Sequence, residues 1–263
     1  MIAAIKSRWS RLTGSQTARL LFLEFIVVLA GVLVAQLLSG WFAEREERAR
    51  AQNQIEGIAT ALHNSAELAV MRQRMDLCMI DRIERLRDAL ASPDIDQSAL
   101  DWVRVPEQNI LDDPGIAAAR PLITKAYGPE SMIPFNLIEF AQRNLYEGQD
   151  AELTAWEELS LLHPDNGPVA DGLRGDLQLA LAEARRANRL MAEVSGLMRN
   201  YTGQMGTPVH DHTIENFAKS PKLCANMVAY SDDQHAAARE RGELPDGTTV
   251  HPRALERITS GIR

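Results

Sequence analysis

The chain has 263 residues, 45% hydrophobic but only 5% aromatic, with a formal net charge of −8. Such a length suits one anchor plus one soluble domain of about 200 residues. The excess of Ala, Leu, Glu and Arg over aromatics favours helix over sheet. Residues 1–42 hold Lys6, Arg8, Arg11 and Arg19 against Glu24 alone, so the acid excess lies in the remainder. An acidic domain argues against nucleic acid held through its phosphates.

Residues 1–19 read as a basic tail. Ile2, Ile5, Trp9 and Leu12 recur at helical spacing between the basic residues. Two readings stay open there: a short amphipathic helix on a membrane surface, or a disordered tail. Leu20 to Phe42 is apolar on nearly every face. As a helix it spans roughly 34 Å, against a bilayer core of roughly 30 Å. A single transmembrane helix over 20–42 is expected, with the lipid bilayer as its first partner. The run is longer than a signal-peptide core and no clear small-x-small cleavage site follows, so an uncleaved anchor is expected. The basic residues precede it and mixed charges, "AEREERARA", follow it. The positive-inside rule then places the tail in the cytoplasm and residues 43–263 outside, in the periplasm of a bacterial inner membrane. Trp41 and Phe42 would sit at the outer interface.

Glu24 lies about one helical turn inside the span. It can pair with Arg19, and negative charge is favoured near a helix N-terminus. At about 100° per residue, Glu24, Val28, Gly31 and Ala35 share a stripe, with Ser39 at its edge. Gly31, Ala35 and Ser39 form a small-xxx-small series that lets a second helix approach. The stripe predicts a helix contact, with a second copy of the chain or with another membrane protein.

The segment "EFIVVLAGVLVAQ", then Trp and a charged helix, resembles the anchor of uncharacterised proteobacterial single-pass membrane proteins. Those carry a Glu-x-x-Val-Val-x-x-Gly-Val-Leu type anchor; the matching positions are Glu24, Val27, Val28, Gly31, Val32 and Leu33. "CMIDRIERL" (Cys78 to Leu86) and "ARRANRLM" (Ala184 to Met191) resemble helical segments of the same group. The resemblance implies an all-helical extracytoplasmic domain. It implies no activity, because the group is a domain of unknown function.

The helical pattern continues past the anchor. Ile55, Ile58, Leu62, Ala66, Ala69, Ile80, Ile83, Leu86 and Leu90 keep three-to-four spacing, and no proline falls between Arg19 and Pro93. One helix is predicted from the membrane to about Ser92, kinked near Gly57, with a charged solvated stalk. Residues 92–133 are rich in turn signals, with a short helix at about Pro114 to Lys125 and a short extended piece at "DWVRV". This segment is expected to cross one end of a bundle. Further helices are predicted over Pro134 to Leu162 and Val169 to Met205. The fold class is therefore all-α: a transmembrane helix continuing into an antiparallel helical bundle over 43–230. The segment from Gly206 is irregular, and residues 231–263 read as a polar C-terminal tail, partly disordered.

Cys78 lies in the first long helix and Cys224 in "SPKLCANM", a predicted short helix. In an oxidising compartment the two are expected to pair. The bond would staple the irregular C-terminal segment to the bundle, worth about 4–5 kcal/mol in the chain-entropy account. No C-x-x-C occurs, which argues against a thioredoxin-like enzyme.

"PVHDHTIENF" groups His210, Asp211 and His212, weak metal candidates because no third distant ligand is identifiable. Glu157–Glu158 and Asp232–Asp233 are paired acids better read as solvated faces than as a catalytic couple. "DGLRGD" (Asp171 to Asp176) lacks the Lys-Ser/Thr of a phosphate loop, and no hydrolase, metalloprotease or dinucleotide motif is present. Asn188 stands in the apolar stripe of the last long helix, beside Arg185, Arg186 and Arg189. It either fixes helix register or lines a pocket between helices. No cofactor and no enzymatic role is expected. The expected function is a membrane-anchored periplasmic interaction or accessory protein. The alternatives are a ligand-sensing input module acting through a separate partner and, behind it, a metal-dependent hydrolase.

Overall fold

The computed structural model describes residues 16–107, 114–207, 209 and 211–260. Among these are seven α-helices: α1 (Gln16–Ala91), α2 (Pro114–Tyr127), α3 (Met132–Leu159), α4 (Arg174–Gln204), α5 (Asp211–Ala218), α6 (Asp232–Arg241) and α7 (Pro252–Ser260). The chain divides into two compact units at Gln54/Ile55. Helix α1 continues through Gly57 to Ala91.

In the first unit, the described residues are helical throughout. Every side chain from Arg19 to Phe42 is exposed. This is the one described helix long and apolar enough to cross a bilayer. The ring of Trp41 meets Phe42 edge-on at 5.2 Å, and the Arg45 guanidinium lies 5.4 Å from the Trp41 ring centre. Beyond them Arg48 pairs with Glu44 and Arg50 with Glu46, one turn apart. These exposed i,i+4 pairs support a solvated helix by a few tenths of a kcal/mol each.

The second unit is built on α1 from Ile55, α3 and α4. Ile58 and Leu62 of α1 meet Phe135 and Ile138 of α3 and Ile123 of α2 in one apolar cluster, with Tyr201 of α4 packed against it. The larger cluster joins Ala69, Met79 and Leu86 of α1 to Leu145, Trp156 and Leu159 of α3 and Ala184, Met191 and Met198 of α4. These contacts set α4 antiparallel to both α1 and α3. The segment 92–131 returns along the bundle instead of crossing one end, which is why α1 and α3 share a direction. Gly148 makes the closest approach of α3 to α4: a Cβ there would lie 2.9 Å from Met191 Cγ.

Local chemistry fixes the ends. Pro93 disfavours helix at Ser92, and the C-terminus of α1 is capped from afar by Arg174. That guanidinium donates to Leu90 O at 2.9 Å and Pro93 O at 2.8 Å, and also to Ser92 O. A cation on the last carbonyls complements the helix dipole. Ser231 and Gln234 form a reciprocal capping box on α6, and Gly242 ends it at φ 68°, the left-handed conformation glycine adopts cheaply.

The C-terminal segment departs from the expected polar tail. Beyond Tyr230 it forms α6 and α7, and Ala238, Leu244, Val250 and Ala254 are buried in the larger cluster. Its polarity is met by α1. Asp81, fully buried, accepts from His251 N at 2.8 Å and from Arg85 Nε at 2.8 Å. Arg85 donates to Thr249 O and Arg74 to Val228 O, each at 2.9 Å. Leu223 N donates to Val105 O at 3.3 Å, beside a bridge between Pro106 and Leu223, so part of the expected extended piece is realised.

Candidate functional site

Two facing stripes build the site. On α1, Arg72, Asp76, Ile80 and Glu84 recur every fourth residue and so share one helix face. On α4, Arg185, Asn188 and Ala192 oppose them. α6 and α7 close the groove from the C-terminal side.

Its floor is a charged cluster inside the bundle. Arg72 (4% exposed), Glu152 of α3 (1%) and Asn188 (3%) are buried together. Arg72 NH2 donates to Glu152 Oε1 at 2.8 Å and also to Asn188 Oδ1. Asn188 Nδ2 donates to Asp76 Oδ1 at 3.3 Å, and Arg239 of α6 reaches Asp76 Oδ2 at 3.5 Å. Burial raises the pKa of Asp76, with Arg72, Arg239 and Asn188 pulling the other way. Burial also raises Glu152; Arg72 opposes it and Asp76 adds to it. Arg72 thus pairs with the buried Glu152 and acts on the half-buried Asp76 at longer range, and removing one member leaves the others uncompensated.

From Asp76 two clefts open. One, of about 490 Å³, is lined by α1, α4 and α7 and includes Ile83, Glu84, Arg185, Asn188 and Arg257. The other, of about 400 Å³, includes Arg74, Arg199, Asp232, His235 and Arg239. In the second, Arg199 and Arg74 both pair with Asp232. Burial works against the Asp232 carboxylate, but these two arginines hold its pKa below the ordinary value. His235 is buried, its Nε2 2.9 Å from Met227 O. Burial lowers its pKa; the Met227 carbonyl opposes that, Arg74 and Arg239 add to it, and Asp232 opposes it.

Around Glu84 the balance is basic. Glu84, fully buried, meets Arg87 NH1 and Arg257 NH1, both at 2.7 Å. A third cavity of about 270 Å³ adjoins here, and Arg185 and Glu84 line both it and the 490 Å³ cleft.

The sequence-derived candidates fare unevenly. Asn188 bonds across helices to Arg72 and Asp76 and lines a cleft between helices. Cys78 and Cys224 pair, with Cα–Cα 5.8 Å, and tie α1 to the C-terminal segment. Cys224 is not inside a helix; it precedes the short turn Ala225–Ala229 at φ 63°, an unusual conformation for a residue with a side chain. His210 lies outside the described residues, and Asp211 and His212 open α5. Among the described residues no group of three or more His, Cys, Asp or Glu is placed to hold a metal. Glu24, Val28, Gly31, Ala35 and Ser39 are all exposed, and a Cβ on Gly31 would meet nothing within 4 Å. Arg72, Asp76, Glu84 and Glu152 went unnoticed in the sequence. Their only signal was charge at inward helical positions, in "MRQRMDLCMIDRIERL" for the first three and "DAELTAW" for Glu152. Comparison with protein-family models, with curated proteins and with solved structures gives no match.

Proposed function

We propose that the chain is a single-pass membrane protein whose helical domain, outside the cytoplasm, serves as an interaction or accessory module. The observation that carries this reading is the unbroken helix α1. Its apolar stretch from Leu20 to Phe42 is wholly exposed, and the same helix continues into a packed core. Exposed apolar surface of that extent belongs in lipid. The Cys78–Cys224 pair supports an oxidising compartment, such as a bacterial periplasm, for the domain. The bare stripe through Glu24, Gly31 and Ser39 is the surface through which a second copy or another membrane helix would associate.

The test of topology is a pair of reporters fused after Arg263, alkaline phosphatase and a fluorescent protein folding only in the cytosol. Phosphatase activity without fluorescence is expected. Fluorescence without phosphatase activity would sink the reading. Association is tested by crosslinking full-length chain in mild detergent; Gly31→Leu is expected to abolish the crosslinked species, and an identical pattern in both proteins would count against the stripe.

The two clefts favour a second reading, a ligand-binding input module that works through a separate partner. It differs from the first in requiring a small molecule, so the two separate by experiment.

A further inference from the structure

The 490 Å³ cleft is of small-molecule size, and its charges do not cancel locally. Arg189 is matched by Glu193 at 2.9 Å. Asp76 is engaged by Asn188 and Arg239. Glu84 is already shared by Arg87 and Arg257. Arg185, on the same wall, has no hydrogen bond or ion pair among the described residues. Two guanidinium groups therefore share one carboxylate, and a third, Arg185, lines the same cleft. Their mutual repulsion is felt at Arg257: burial lowers its pKa, Glu84 opposes that, and Arg185, Arg87 and Arg253 lower it further. Ile80 and Ile83 on α1, facing α4 across the opening, and Ala192 beside Asn188 on α4 give it an apolar surface.

We propose that this cleft binds a small organic anion, with its phosphate or carboxylate head against Arg185 and Arg257 and a short apolar body on Ile80, Ile83 and Ala192. A guanidinium fork matches either head group in bidentate geometry. The missing counter-charge at Arg185 is what the head group supplies. The apolar wall selects anions carrying an alkyl or similar body over the bare ion. The inference deepens the input-module reading but does not depend on the anchor or the compartment, because binding is a property of the folded domain.

The experiment uses the purified full chain in non-ionic detergent. Thermal unfolding is followed with butyl phosphate, butanoate, inorganic phosphate and chloride at equal ionic strength. A ligand for the native state raises the midpoint, with a stabilisation that grows as the logarithm of one plus the ratio of ligand concentration to Kd. Butyl phosphate or butanoate is expected to stabilise beyond chloride, and more than inorganic phosphate does; which of the two leads identifies the head group. Arg185→Gln is expected to weaken binding about ten- to hundredfold, the effect of losing one charged hydrogen bond. Arg185 is exposed and makes no hydrogen bond or ion pair among the described residues, so this variant keeps the fold. Arg186→Gln, which touches only the surface Glu183, is the control and should bind as the parent does. Stabilisation equal to that of chloride with every probe, or an undiminished effect in Arg185→Gln, overturns the proposal.

Discussion

Replacing Arg72 by Met should expose how the centre of the bundle is held. Among the described residues Arg72 is the only cation that bonds Glu152, and both are at most 4% exposed. Removing it leaves Glu152 buried without its cation and leaves Asn188 Oδ1 without that donor. Breaking one partner of a buried pair typically costs about 3–5 kcal/mol, a large share of a domain stability of about 5–15 kcal/mol. The double variant Arg72→Met/Glu152→Met replaces the pair by apolar side chains of similar length. It should recover much of that loss, since apolar replacements of buried pairs are often neutral or better. The single variant should also depend on pH in a defined sense. Burial already raises Glu152 and Asp76 above their ordinary values; Arg72 restrains Glu152 and, with Arg239 and Asn188, Asp76. Without Arg72 both move up further, so the folded state keeps its protons while the unfolded state gives them up. Stability then declines as pH rises from the unfolded values near 4.5 and 3.8 toward the raised folded ones, and the single variant is worst near neutrality. Urea unfolding of the full chain, read by tryptophan fluorescence at several pH values, measures all of this. A loss below about 1 kcal/mol for Arg72→Met, or a double variant equal to the sum of the two singles, would refute the reasoning.

Three further outcomes are expected. Replacing Cys78 and Cys224 by Ser reopens a loop of sequence separation 146. In the chain-entropy account this costs about 5 kcal/mol, seen as a lower urea midpoint that reductant reproduces in the parent but not in the variant. His235→Gln should flatten the fall of the melting temperature with acidification. The folded imidazole lies below its ordinary 6.5, so its contribution is present above that value and is lost as pH falls through the folded pKa. Asp76 and Glu152 act in the opposite sense, so the quantity to measure is the difference between parent and variant. Gly148→Val should destabilise by about 1–3 kcal/mol, because its Cβ meets Met191 Cγ at 2.9 Å and Sδ at 3.1 Å where α3 and α4 touch; a calorimetric scan showing an unchanged midpoint would remove that contact from the account.

The helices were legible because their signals are local. The absence of proline up to Pro93 foretold the length of α1, and three-to-four spacing foretold which side of α3 and α4 is buried. The path of 92–131 was not legible, since turn signals say where a chain bends but not how far it travels before bending back. The C-terminal segment was misread for a related reason. It is polar and broken by proline, yet its polar groups are satisfied by Asp81, Arg85 and Asp88 of α1, more than 160 residues away in sequence. The buried charges of the site escaped notice in the same way. Arg72 finds its partners at separations of 80 and 116 residues, and no window of a few turns contains both ends of such a pair. A neutral Asn188 among leucines stood out; a charged residue in a helix reads as surface until its partner is known.

Net charge misleads at the same scale. A total of −8 opposes a long polyanion, because such a partner integrates the field over many charges and many ångströms. A small anion does not sample that field. At physiological salt, exposed charges beyond about 8–10 Å are largely screened, so an anion in the cleft responds to Arg185 and Arg257 and hardly to distant acids. Many of the acids are in any case already engaged: Asp81 with Arg85, Glu84 with Arg87 and Arg257, Asp232 with Arg199. What remains free at short range decides binding, and in this cleft that is a guanidinium. An acidic protein can therefore hold an organic phosphate or carboxylate, and raising salt should weaken that binding far less than it would weaken the attachment of a polyelectrolyte.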